Sequence, residues 1–180
     1  MTINQTNVGG PFLLAPIDAR NTGTGITVTV RGGTAPQGAV RQFMKPGLAD
    51  AEAAVEYGID SAEGGLTNVA LVDATVNNGD DVFACVVTDK ETVADDGEAR
   101  AVVSGRVKVL LIAEASTAYP EYTPIYMVSG QNYVTTNSSL SGETVGRKCG
   151  VLLGDYDSGD LAAGTHLVDV LFVGTPAYLS

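Results

Sequence analysis

The sequence predicts a mainly β protein: a compact β-barrel or β-sandwich-like body behind an extended N-terminal arm, with at most one short helix. Three observations predict it. Apolar and polar residues alternate over several short runs, the pattern of a strand with one buried face. The 22 glycines and 7 prolines are scattered between those runs, so turns are frequent. Hydrophobic residues reach 44% while aromatics stop at 6% with no tryptophan, so the core is built largely from Val, Leu, Ile and Ala. A chain of 180 residues folded as one unit buries about 70% of its unfolded surface, enough for a core without staples.

Residues 1–24 read as the arm. Pro11, Pro16, a Gly pair and "NTGTG" from Asn21 to Gly25 stop a helix from propagating, yet "PFLL" is apolar enough to require a partner surface. The body spans 25–180. It opens on "GITVTVR", a strand with Ile26, Val28 and Val30 inward and Thr27, Thr29 and Arg31 outward. Residues 32–62 form a candidate insertion. Within it "PGLADAEAAVEYG", Pro46 to Gly58, is the helix candidate: Pro precedes it, acids crowd its first turns, and Gly closes it.

The remainder reads as strands. "TNVALVDATV" and "DVFACVV" flank "NNGD", which predicts a hairpin because Asn and Gly tolerate positive φ. "DVFACVV" is apolar on both faces and belongs at the centre or under cover. "AVVSGRVKVLL" predicts one strand with Ala101, Val103, Gly105, Val107, Val109 and Leu111 on one side and Ser104, Arg106 and Lys108 on the other. Pro120 and Pro124 then interrupt the chain before "IYMV", which pairs through "SGQN" with "YVTT". "CGVLLG" and "HLVDVLFV" complete the set, with Asp169 outward and Val168, Val170 and Phe172 inward. Short strands joined by glycine turns predict a barrel or sandwich.

Charge narrows the partners. With 21 acids, 10 bases and a net charge of −11, the chain is repelled by phosphate backbones and by anionic lipid, so neither nucleic acid nor membrane is expected. Its N-terminus has no basic start and too short an apolar stretch for a signal peptide, so synthesis in a cytoplasm without secretion is expected. Cys85 and Cys149 each sit in an apolar run and read as buried thiols, a disulfide between them remaining open.

No cofactor, metal or catalytic constellation is expected. His166 is the one histidine and reads as a polar residue at a strand end, with no serine elbow to accompany it. There is no Walker loop, and "GTGITV" lacks the third glycine of a dinucleotide fingerprint. The pairs Asp80–Asp81, Asp95–Asp96 and Asp155–Asp157 read as solvated turn residues. "DYDSGD" suggests calcium, but Gly159 occupies a ligand position and His166 stands where an EF-hand has Glu.

The order of segments over roughly residues 60–174 carries a resemblance. It runs through "NNGDDVFACVV", "GEARAVVSGRVKVLL", "TPIYMVSGQNYVTT" and "SGETVGRKCGVLLGDYDSGDLAAGTHLVDVLFVG". Gly105, Tyr126, Gly146, Gly150 and Gly164 fall at the places that punctuate this pattern. It resembles the small capsid decoration, or cement, proteins of tailed bacteriophages. Thr123-Pro124 departs from the Gly-Asp common in that family, and residues 32–62 have no counterpart.

The resemblance implies a non-enzymatic virion protein, made in the host cytoplasm, that assembles as a homotrimer on the capsid exterior and stabilises the head. Its partner would be the major capsid protein. The arm, through Val8, Pro11, Phe12, Leu13 and Leu14, would then grip the shell by adding backbone to an exposed sheet edge. The alternatives are a head-fibre or tail-associated component and a carbohydrate-binding β module. The latter calls for aromatic platforms, and Tyr119, Tyr122 and Tyr126 are the nearest to a cluster.

Overall fold

The structure, a computed structural model, describes residues 25–43, 67–73 and 83–174. The arm, the helix candidate at 46–58 and the "NNGD" turn lie outside them. Among the described residues the chain is mainly β and has no helix.

The described residues form two closed rings of five strands each. The first barrel joins β1 (Gly25–Val30), β3 (Thr67–Ala70), β2 (Val40–Phe43), β4 (Ala84–Val87) and β5 (Glu98–Val102) in that spatial order. Every neighbouring pair is antiparallel except β1 with β3. The second barrel joins β10 (Gly164–Val173), β6 (Ser104–Ala113), β8 (Val134–Thr135), β7 (Pro124–Val128) and β9 (Val145–Leu152). There the parallel pair is β6 with β8, held at Leu111 and Val134.

The alternating patterns become these strands largely as expected. Val28 and Val30 of β1 are fully buried, as are Val168, Val170 and Phe172 of β10, while Asp169 stays on the outer face. The "IYMV" and "YVTT" runs pair as β7 and β8 through Tyr126–Thr135 and Met127–Val134. Strand β4 is buried on both faces: Cys85 and Val87 enter the first core, Ala84 and Val86 the second.

Three details differ from the sequence reading. The strands flanking "NNGD" do not pair with each other among the described residues, because β2 lies between β3 and β4 in the ring. Strand β2 belongs there because it too is buried throughout, with Val40 in one core and Phe43 in the other. The run from Ala101 to Leu111 is two strands. It breaks at Val103 and crosses from the first barrel to the second, where Gly105 takes φ +115°. Finally, Thr29 is buried, since its pairing with β3 and β5 sets it between Asn68 and Glu98.

The barrels share packing and backbone bonds. One apolar cluster runs from Val109, Ile125 and Phe172 of the second barrel to Val40, Ala84, Val86 and Val102 of the first. Gly174 sits in the seam: its N–H donates to Val103 O (2.8 Å) and its carbonyl accepts from Ala84 N (2.7 Å). A Cβ there would stand 1.9 Å from the Ala84 oxygen, so only glycine fits. Leu110 N donates to Gly38 O (2.9 Å) and Gly130 N to Val72 O (2.7 Å) further along.

Candidate interaction surface

Strand β10 is apolar on both sides, and this is what builds the surface. Its inner residues fill the second barrel, while Leu167 and Leu171 stand on the outer face, 40% and 45% exposed. Between them Asp169 faces Lys108 (Nζ to Oδ2, 3.3 Å) and Arg106 (Nε to Oδ1, 3.8 Å) on the neighbouring β6. Register places Leu110 opposite Leu167, and Val151 of β9 opposite Leu171. The result is a sheet face with leucines at either end and a basic centre. These ion pairs are solvent-exposed and contribute at most about 1 kcal/mol each, so their weight falls on recognition more than on stability.

Tyr122, 64% exposed, lies just before β7, its N–H donating to Leu152 O of β9 (2.9 Å). It adopts φ +66°, a conformation uncommon for a bulky side chain. Leu167, Leu171 and Tyr122 are the large apolar side chains left exposed among the described residues. Leu167 and Leu171, on one outer face with charged side chains between them, mark a candidate interaction surface.

The opposite charge collects on the first barrel. The β4–β5 connection and the start of β5 carry Asp89, Glu91, Asp95, Asp96 and Glu98 against one base, Lys90. Asp96 pairs with Arg31, and Asp89 accepts a bond from the Arg100 N–H. Glu91, Asp95 and Glu98 are exposed. Close by, Ile26, Thr27, Thr88 and Arg100 line a shallow groove of about 310 Å³.

Asp80 and Asp81 lie outside the described residues, and among the described ones the residues singled out for chemistry do not converge. His166 is half-buried, its ring Nε2 2.8 Å from the Ala162 carbonyl. The Asp160 carboxylate accepts the Asp157 N–H at 2.9 Å, so it closes its own turn. No group of His, Cys, Asp or Glu among the described residues is arranged to hold a metal ion. Tyr119 is buried with its hydroxyl 2.6 Å from Glu114 N, and Tyr126 is half-buried, so these tyrosines do not form a stacking platform with Tyr122. Cys85 and Cys149 are free and buried in separate cores, and burial pushes both thiols up to about 12.

Val8, Pro11, Phe12, Leu13 and Leu14, expected to grip a partner, lie outside the described residues. Leu167 and Leu171 were the residues that sequence reasoning passed over. Their signal was "HLVDVLFV" itself, in which two of the outward positions, either side of Asp169, are leucine. No protein-family model, no curated protein and no solved structure matches this chain.

Proposed function

We propose that this protein is a capsid decoration protein: it binds the outer surface of a bacteriophage head, through the major capsid protein, and stabilises the shell as a self-associated, trimeric cement. The observation that carries the reading is where the resemblance falls. Gly105, Tyr126, Gly146, Gly150 and Gly164 all lie in the second barrel, on β6, β7, β9 and β10.

Three of those glycines answer backbone demands of that barrel. Gly105 and Gly164 adopt φ +115° and +132° at the starts of β6 and β10. Gly150 lets β9 approach β10 so closely that a Cβ would stand 2.2 Å from Leu171 O. The punctuation shared with the decoration proteins is therefore the punctuation this barrel needs. The net charge of −11 suits a protein that stays outside packaged DNA. Weak single contacts suffice in this reading, because a multimer engaging several equivalent sites gains avidity.

The test is direct. Purified protein is mixed with undecorated heads, pelleted and imaged by electron cryomicroscopy. Saturable binding, evenly spaced copies and heads that survive a higher temperature are the expected result. Deleting residues 2–20 is expected to weaken binding at least tenfold, about 1.4 kcal/mol. Heads that pellet without the intact protein at micromolar concentration end the proposal.

A further inference from the structure

The strands of the second barrel invert the charge balance of the chain. They carry Arg106, Lys108, Arg147 and Lys148 against Asp169 alone, in a protein of net charge −11. Arg147 turns to the barrel seam, donating to the Val173 and Gly174 carbonyls (3.4 and 3.0 Å). Arg106 and Lys108 remain on the outer face with Asp169, between Leu167 and Leu171. A face that combines leucines with two bases fits an acidic protein surface. The same chain presents one on its other barrel: Glu91, Asp95 and Glu98.

We propose that the β9–β10–β6 outer face of one copy seats against the acidic β4–β5 connection of the next, giving head-to-tail self-association. The inference rests on the self-association in the proposed function and names its surfaces; it does not rest on the capsid.

Charge selects this mode over a face-to-face pair. Placing two such faces together would oppose two patches in each of which two bases, Arg106 and Lys108, outnumber their one acid, Asp169. Like charges brought together disfavour a contact, so the symmetric pair is selected against. Joining unlike patches relieves that repulsion and covers Leu167 and Leu171 at the same time. Head-to-tail contacts of this kind close into rings when the rotation between copies permits.

Sedimentation velocity of the full chain tests the proposal. The wild type is expected to associate at about 50 mM salt and to weaken at about 500 mM, where the Debye length falls to a few ångströms. Arg106→Glu with Lys108→Glu is expected to weaken association at least tenfold, and Glu91→Lys with Asp95→Lys to do the same. Mixing the two variants restores it, because the reversed face of one then meets the reversed connection of the other. Leu167→Thr with Leu171→Thr keeps strand-forming residues and is expected to weaken association without altering its salt dependence, circular dichroism confirming the fold.

A monomeric wild type at low salt, association indifferent to both swaps, or swapped variants that do not complement each other overturns the proposal. Pelleting of the same variants with undecorated heads separates the two readings. Loss of head binding with self-association intact assigns the face to the shell and overturns the inference. Absent self-association with head binding retained overturns it while leaving decoration standing.

Discussion

Arg41 shows what a buried charge does inside a small barrel. It lies beside Cys85 across the β2–β4 ladder, in a core otherwise filled by Val28, Val30, Val69, Ala99 and Ala101. Its guanidinium donates to the carbonyls of Arg31, Gly33 and Thr34, tying the β1–β2 connection over the barrel end. Burial lowers its pKa, with Cys85 and Asp95 acting in the opposite direction. The two cysteines give the measurable consequence. Both fully buried thiols are raised to about 12, above their ordinary 9.0, so the folded state holds these protons more tightly than the unfolded chain. Their stabilising effect is complete below pH 9 and is lost as pH climbs from 9 toward 12. The apparent Tm is expected to fall over that range, and Cys85→Ala, Cys149→Ala is expected to flatten the decline. At neutral pH neither thiol should react with a disulfide reagent until the protein unfolds.

Strands with one wet face were legible in the sequence; of the strands with none, β4 was legible from its unbroken apolar run and β2 was not. Val107 to Leu111 and Val168 to Phe172 alternate because one side meets a core and the other meets water. The short β2 gave no such signal: Arg41 and Gln42 are polar yet buried, the Arg41 Nη1 and Nη2 donating to loop carbonyls and the Gln42 Oε1 accepting from Asp73 N (2.7 Å). Turn chemistry at "NNGD" speaks for a reversal of the chain but not for which strands become neighbours, and there β2 intervened. The outer leucines of β10 were visible as residues, but only the fold sets them beside Arg106 and Lys108. The break at Val103 was hidden because Gly105 occupies an apolar position without disturbing the alternation. Its φ of +115° is one that side chains rarely adopt. Gly105→Ala is therefore expected to destabilise the protein by about 1–3 kcal/mol, read from denaturant midpoints at an unchanged m-value.

At the scale of the molecule, the two barrels share one packed interior. Val40, Ala84, Val86 and Val102 belong to the first barrel by backbone pairing and to the second by packing, so neither core is complete alone. A single thermal transition is expected, with near-UV and far-UV signals coinciding. Gly174 is the point at which to test it. A methyl group there must displace the Ala84 or Val103 carbonyl, so Gly174→Ala is expected to cost about 3 kcal/mol and lower Tm by roughly 6–12 °C without splitting the transition. Two separated transitions would show that the seam does not couple the barrels.

Ring closure also fixes a timetable for synthesis. The first barrel closes when Gly25 meets Val102, and the second when Gly164–Val173 lies along Ser104–Ala113, so each ring waits for a strand translated long after its partner. A nascent chain on the ribosome must keep "DVFACVV" and "RVKVLLIA" from sticking to its neighbours until then. Yields in a heterologous host should therefore rise with slower, cooler translation, and rise further when a chaperone that shields exposed strands is supplied alongside.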